Sequence, residues 1–342
     1  QIVGPTRQQK NVVFISSGYT EAEQDTFTTD VQTLLSLLEQ PENSFGISAQ
    51  PYTRYYSTMN FFQVWYPSTD SGASHPAPAG DGTTKDNNLD CSYGATSERI
   101  LSCSRTKVQL VGSYSPPDPT TTLYIVLVND ASFGGTGGSG ICSVYNGEKM
   151  FVVFIHEVGH AGFDLSDEYD YGVTESKDVS MKNCHKSNTE TPWNAWILSG
   201  ILPRPSSVCT YTNYFKPTPG ACLMESDQKS LCPVCAASTL NQIYTTGMSL
   251  AAPRWPSEYE VAHVALGEGV LLFVNDKLPY KRDETGVFDV KWTDKDGLEV
   301  AASTHKLGFD HPNASFPVNA TDVVSYTAVG TYEFTVTIVD QT

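Results

Sequence analysis

Two histidines, His156 and His160, lie four positions apart in the segment "FVVFIHEVGHAGFDLSDEYDYG", which covers positions 151–172. Residues four positions apart share one face of a helix, so both imidazoles can bind one metal ion. Glu157 follows the first histidine, where a carboxylate can reach a water molecule activated by the metal. This spacing predicts a zinc hydrolase site with Glu157 as general base and acid.

A catalytic zinc site needs a third protein ligand and one open position. The candidates are the acids that follow the second histidine: Asp164, Asp167, Glu168 and Asp170. Asp164 lies one turn past His160 and suits the end of the helix, whereas Asp167 is the first carboxylate beyond the expected turn. The longer motif H-E-x-x-H-x-x-G-x-x-H does not fit, because it would place its Gly at Phe163 and its third His at Ser166.

The elements that must position these residues form an α/β pattern. The apolar run "MFVVFI" predicts the buried first turns of the helix that carries the motif, and Gly159 and Gly162 indicate close packing or coordination there. "NVVFIS", "NFFQVWYP" and "TLYIVLVND" predict buried strands, and a helix begins near Thr20 and ends before Pro41. We interpret "FGGTGGSGICSVY" as a flexible loop leading to an exposed edge strand, since it lacks the GK[ST] ending of a phosphate-binding loop.

The eight cysteines of the chain are Cys91, Cys103, Cys142, Cys184, Cys209, Cys222, Cys232 and Cys235. Their even number and their polar, turn-rich surroundings favour up to four disulfides in an oxidising compartment, with Cys91 and Cys103 closing a local loop. The alternative is a structural zinc site built on "CPVC" with Cys209 and Cys222. Five of the eight cysteines lie between positions 173 and 250, where we expect an irregular lobe.

The last part of the chain alternates apolar and polar residues, as in "GTYEFTVTIVDQT". This pattern predicts an immunoglobulin-like β-sandwich over residues 251–342, which can bind glycan or protein or stabilise the enzyme. Asn313 and Asn319 begin acceptor sequons for N-glycosylation.

Composition narrows the partners of this chain. A net charge of -17 without a basic patch argues against nucleic acid or an anionic membrane as partner. No apolar run approaches the length of a membrane span, and no signal peptide begins at Gln1. We therefore expect a mature, processed, secreted protein that acts outside the cell as a monomer.

Three segments, "ISSGYTEAEQDTF", "VNDASFGGTGGSG" and "HEVGHAGFDLSDEYD", together resemble the IgA-peptidase (igalysin) family of metzincin zinc metallopeptidases. The resemblance implies a twisted sheet over an active-site helix, with the strand before that helix pairing with extended substrate. It also implies a methionine turn under the metal, which "CLMES" fits with Met224. It favours Asp167 as third ligand, with Glu168 the alternative.

The prediction is thus a secreted zinc endopeptidase with a metzincin-like α/β catalytic domain over residues 1–250. His156, His160 and Asp167 bind Zn²⁺, Glu157 is catalytic and Met224 supports the site. Protein substrates are expected, with glycoproteins or mucins suggested by the family resemblance alone. Tyr169 and Tyr171 are either hydrogen-bond donors to the oxyanion or rim aromatics.

The alternative function is a non-catalytic, metal-containing adhesion or glycan- or protein-binding protein. The intact Glu157 argues against it, because a purely structural metal site has no use for a base beside its ligand.

Overall fold

The computed structural model describes residues 10–40, 44–55, 59–115, 122–220, 222–226 and 230–246, and the backbone of five strands beyond residue 268. Contacts between residues divide the chain into two compact units, Gln1–Gly247 and Met248–Thr342.

The first unit contains nine strands among its described residues. They are β1 (Asn11–Ser17), β2 (Asn60–Val64), β3 (Ser92–Gly94), β4 (Ser97–Ser102), β5 (Thr122–Val128), β6 (Gly135–Gly138), β7 (Ile141–Tyr145), β8 (Val208–Cys209) and β9 (Tyr211–Phe215).

The described helices of this unit are α1 (Gln24–Leu38), α2 (Tyr52–Tyr55), α3 (Arg105–Gly112), α4 (Met150–Phe163), α5 (Asn194–Leu198) and α6 (Pro233–Thr246). A short 3₁₀ turn, Glu21–Glu23, precedes α1.

Seven of the strands form one sheet in the order β2-β1-β5-β7-β6-β4-β3. β2, β1, β5 and β7 run parallel, whereas β6 is antiparallel to β7. β6 also meets β4 on its other side, at the single pair Ile100↔Gly135. The mixed α/β fold agrees with the prediction of a peptidase domain.

Buried apolar strands form the centre of this sheet. Every residue of β1 is buried, and β5 is buried except at Tyr124. Parallel strands that are covered on both faces favour such continuous apolar runs, which is why the sequence predicted these two strands. α1 buries Phe27, Val31, Leu34 and Leu38 at helical spacing, while α4 packs against β6 and β7.

Four of the eight cysteines form two disulfides. Cys91–Cys103 closes the expected local loop. Cys184–Cys209 lies in the irregular lobe, where both of its cysteines and Tyr214 are fully buried. Cys142, Cys222, Cys232 and Cys235 are buried without a disulfide. Two disulfides agree with the expectation of up to four, and the predicted pairing of Cys91 with Cys103 is confirmed.

The second unit contains β10 (Gly269–Leu272), β11 (Gly286–Asp294), β12 (Glu299–Leu307), β13 (Asp322–Ser325) and β14 (Phe334–Asp340). β10 and β13 form an antiparallel pair, and β12, β11 and β14 form an antiparallel sheet in that order. The immunoglobulin-like sandwich over residues 251–342, and with it the assignment of residues 1–250 as the catalytic domain, stays a prediction. The sequons at Asn313 and Asn319 lie outside the described residues.

Among the helices that the structure describes, none combines the length and the apolar character that crossing a membrane requires.

Candidate active site

Helix α4 carries the two histidines and ends in a sharp turn. Asp164 follows its last residue with φ 52° and ψ 31°, a left-handed conformation, and Leu165 N donates to Gly159 O at 3.0 Å. Asp164 therefore ends the helix, as its position in the sequence suggested. The turn brings the next residues back along the helix toward His160, whose Nδ1 lies 2.6 Å from Leu165 O.

Three donor atoms meet at the cleft side of α4. His156 Nε2 lies 3.1 Å from His160 Nε2, and Asp167 Oδ1 lies 3.2 Å from each of these nitrogens. The other ring nitrogen of His156, Nδ1, lies 3.0 Å from Leu223 O. Backbone carbonyls only accept hydrogen bonds, so each Nδ1 carries the hydrogen and each Nε2 presents its lone pair to the cluster.

This donor set fits zinc. Tetrahedral zinc with bonds of about 2.0–2.1 Å to nitrogen and oxygen places its ligand atoms about 3.3 Å apart. Asp167 Oδ1 is buried and has no hydrogen-bond partner among the described residues. Three lone-pair atoms this close repel one another unless a cation lies between them.

Asp167 is held in its ionised form. Burial by itself would raise the pKa of this carboxyl, yet its pKa lies well below the usual range because protonation of His156 or His160 places a hydrogen bond and a positive charge against it. A metal ion held by the same atoms would act in the same direction. Its second oxygen, Oδ2, accepts a hydrogen bond of 2.5 Å from the hydroxyl of Tyr171. This bond orients the carboxylate.

Glu168, the alternative ligand, points away from the histidines. Its side chain is fully buried, and Oε1 accepts a hydrogen bond from Asn183 Nδ2 at 3.1 Å. The same oxygen lies 3.1 Å from Cys235 Sγ. The structure therefore brings Asp167, and not Glu168, to His156 and His160.

Glu157 occupies the wall of the cleft beside the three donors and is almost fully buried. Burial raises the pKa of its carboxyl, and the nearby His156 and His160 partly oppose this rise. A carboxylate with a raised pKa is a stronger proton acceptor than an exposed glutamate.

Met224 lies beneath this arrangement. Its side chain is fully buried, and its sulfur would come within 2.9 Å of a Cβ placed on Gly159. The turn that carries it also supplies Leu223 O to His156, and Met224 O accepts from Glu168 N at 2.7 Å. Gly159 is thus glycine because the methionine packs directly against the helix backbone.

The glycine-rich segment differs from the prediction of a flexible loop. Gly135–Gly138 forms β6, which lies on α4, and a Cβ on Gly137 would overlap the backbone oxygen of Glu157. A Cβ on Gly135 would lie 2.6 Å from Val153 Cγ1. The glycines are required by this close approach of strand to helix, not by loop flexibility.

The strand directly before the helix, β7, is not the exposed edge strand that the segment "FGGTGGSGICSVY" indicated. β7 lies inside the sheet between β5 and β6. β6 pairs with β7 along its whole length, but it contacts β4 only through Gly135. Among the strands that the structure describes, the other residues of β6 therefore have a neighbour on only one side.

A cleft of about 800 Å³ opens over these residues. Part of its lining was not singled out by the sequence patterns, since it comes from β4 and the loop before β6: Ser97, Arg99, Ile100 and Phe133. Tyr169 and Tyr171 line the same cleft and are 41% and 49% exposed. The hydroxyl of Tyr171 donates its hydrogen bond to Asp167, which favours an orienting role for this tyrosine over a role as hydrogen-bond donor to the oxyanion.

A family model described as IgA Peptidase M64 matches residues 1–206. The match covers more than half of the chain and includes His156, Glu157, His160 and Asp167, while Met224 lies beyond it. A comparison with curated proteins finds no match.

Proposed function

The chain belongs to the IgA Peptidase M64 family, which implies metallopeptidase activity, and we propose that it is a secreted zinc endopeptidase of metzincin type. The proposal assigns His156, His160 and Asp167 as zinc ligands and Glu157 as general base and acid. Disulfides of the kind formed by Cys91–Cys103 are typical of exported proteins and support secretion.

One observation carries the zinc assignment: His156 Nε2, His160 Nε2 and Asp167 Oδ1 lie 3.1–3.2 Å apart, while the Nδ1 atom of each ring faces a backbone carbonyl. All three residues line the cleft, so a coordination position on that side is accessible to substrate. Zinc in such a site supplies Lewis acidity to a peptide carbonyl and to the attacking water.

Glu157 then moves the proton. Its carboxylate takes a proton from the attacking water as the new carbon–oxygen bond forms, and gives it to the amine nitrogen as the carbon–nitrogen bond breaks. Its raised pKa suits both steps, because the group must accept and release one proton within a turnover.

Tyr171 and the two backbone carbonyls hold the ligands in place. The tyrosine hydroxyl fixes the orientation of Asp167, while Leu223 O and Leu165 O fix the rings of His156 and His160. Such partners of metal ligands are worth about 10–100-fold in metal affinity or activity.

The substrate is proposed to be a protein or glycoprotein. The cleft, with its volume of about 800 Å³, lies near the upper end of ordinary ligand pockets, about 300–1,000 Å³, and suits a stretch of peptide. The exposed aromatic rings of Phe133, Tyr169 and Tyr171 offer contact surface to that peptide. A mucin-type substrate rests on the family resemblance alone.

The test compares wild-type protein with Glu157→Gln on a labelled casein and on a mucin, with zinc content measured for both. We expect the variant to keep its active-site zinc and to lose about 10²–10⁴-fold in kcat/KM, the usual contribution of a general base. Glu148→Gln is the matched control, since Glu148 is exposed just before the same helix.

Two outcomes contradict the proposal. Full chelator-sensitive activity in Glu157→Gln removes this residue as the base. Absence of any chelator-sensitive hydrolysis by the wild-type protein favours the non-catalytic binding protein instead.

A further inference from the structure

A second cluster of metal-ligand side chains lies behind the active site. It consists of Glu168, Cys222, Cys232 and Cys235, which are all buried and whose ligand atoms lie within 4.8 Å of one another. The zinc peptidase chemistry described above uses none of them. We refer to them as the thiol cluster.

The separations within the thiol cluster suit a shared metal ion. Cys222 Sγ lies 3.7 Å from Cys235 Sγ, and Glu168 Oε1 lies 3.7 Å from Cys232 Sγ and 3.1 Å from Cys235 Sγ. Tetrahedral zinc with bonds of about 2.3 Å to sulfur holds two sulfurs about 3.8 Å apart. A disulfide would need about 2.05 Å, and the three cysteines form none.

Backbone hydrogens support negative charge on the sulfurs. Cys232 N donates to Cys222 Sγ at 3.3 Å, and Cys235 N donates to Cys232 Sγ at 3.5 Å. Hydrogen bonds to the charged form of a group favour that form. Cys232 and Cys235 also flank the first residues of α6, where the helix dipole favours negative charge.

Glu168 adds a second sign that the cluster binds a cation. Its Oε2 atom is fully buried and has no hydrogen-bond partner among the described residues. A buried carboxylate oxygen without a partner is costly unless a metal or a positive group satisfies it.

We propose that Glu168, Cys222, Cys232 and Cys235 bind a structural zinc ion distinct from the catalytic one. Binding releases one proton from each of the three thiols, and the three thiolates and one carboxylate then give the same formal charge as a Cys₄ zinc site. All four positions are taken by buried protein ligands, so this ion has no open position for substrate.

The structural ion would connect the two segments that complete the active site. Glu168 directly follows Asp167, and Cys222 directly precedes Leu223, whose carbonyl accepts from His156. Lys216 Nζ also donates to Glu168 O at 3.3 Å, which holds the same backbone in place. The thiol cluster therefore positions Asp167 and the methionine turn.

The proposal is separable from the peptidase function by cobalt substitution. In the double variant His156→Ala/His160→Ala, the catalytic site is removed and the thiol cluster is intact. We expect one equivalent of bound Co²⁺ with thiolate-to-cobalt charge-transfer absorption, since the catalytic ligands contain no sulfur. Absence of that absorption overturns the proposal, whatever the peptidase activity of the wild-type protein.

Thiol counting on the wild-type protein tests the rival outcome, a third disulfide, and does not depend on any variant folding. Alkylation after denaturation with chelator and without reductant should label four cysteines, namely Cys142, Cys222, Cys232 and Cys235. Labelling of two would show a disulfide within the cluster and overturn the metal site.

The variant Glu168→Gln gives a second measure on folded protein. We expect it to weaken zinc retention at the thiol cluster at least about tenfold, because a neutral amide replaces a charged ligand. Cys142→Ala, a buried cysteine outside the cluster, is the matched control and should keep both zinc equivalents. Unchanged zinc retention in Glu168→Gln removes Glu168 from the ligand set.

Discussion

Two adjacent carboxylates, Asp167 and Glu168, belong to clusters of opposite character. Asp167 faces two histidines whose side chains are 20% and 15% exposed and line the cleft. Glu168 faces three cysteines with no access to solvent. An open set of three nitrogen and oxygen donors suits catalysis, and a closed set of four suits structure.

The clusters also differ in how the chain builds them. His156 and His160 occupy one helix and are fixed by local geometry, while Cys222, Cys232 and Cys235 come from a turn and the beginning of α6. The imidazole rings of the open cluster are oriented by the backbone carbonyls of Leu223 and Leu165. The metal ion proposed for the closed cluster would hold the segments around these carbonyls together.

The sharpest test of this comparison removes the carboxylate of the open cluster and leaves that of the closed cluster in place. Asp167→Ala should lose the catalytic zinc, with a fall in metal affinity beyond the roughly 10–100-fold of an outer partner, because a ligand itself is removed. Its peptidase activity should fall with it, while the cobalt absorption of the thiol cluster stays.

Asp170→Asn is the control for Asp167→Ala, since Asp170 is exposed and lies in the same segment. Full zinc content in Asp167→Ala would break the assignment of Asp167 to the open cluster.

A smaller effect is expected at the hydroxyl that orients Asp167. Tyr171→Phe should reduce zinc affinity or kcat/KM about 10–100-fold, because Asp167 Oδ2 loses its donor. Tyr114→Phe, at an exposed tyrosine, serves as control. A loss of kcat at unchanged zinc affinity would instead indicate that the hydroxyl acts on the reacting carbonyl.

The close packing of β6 against helix α4, beside the open cluster, can be tested by substitution of its glycines. Gly137→Ala should lower the free energy of unfolding by about 1–3 kcal/mol, because the new methyl overlaps the backbone of Glu157. Gly138→Ala is its neighbour control, since a Cβ there meets nothing within 4 Å. Urea denaturation of the wild-type protein and the two variants measures the free energy of unfolding of each. Equal midpoints would mean that β6 does not pack as closely against the helix as the structure shows.

The smallest effect is expected where the two clusters meet. Met224→Leu keeps the volume against Gly159 and should cost less than about 1.5 kcal/mol of unfolding free energy, with both metal equivalents retained. Thermal unfolding and metal analysis check this. Loss of either metal would mean that the sulfur has a part beyond packing.

Patterns with a local cause predicted much of the fold. The strands of β1 and β5 follow from continuous apolar runs, and α1 from its helical spacing. The Cys91–Cys103 loop was predicted because its cysteines are close in sequence and lie in a turn-rich stretch. The resemblance to the IgA-peptidase family is confirmed by the family match.

Sequence patterns whose structural meaning depends on residues distant in the chain led to wrong or incomplete predictions. The glycines of β6 indicated a loop, but glycine also permits close contact with a helix, and no feature of Gly137 itself distinguishes the two. An even number of cysteines suggested up to four disulfides but not that Cys222 and Cys235 would lie unbonded, 3.7 Å apart and beside a carboxylate.

The sequence by itself determined that His156 and His160 face the same way with Glu157 between them, because helical geometry fixes side chains over one turn. Only the tertiary structure shows that Asp167, and not Glu168, lies beside these histidines. Consecutive residues point in different directions, and the direction of each depends on the turn at Asp164 and on cysteines 64 and 67 positions away from Glu168. Contacts over such separations exist only after the chain has folded.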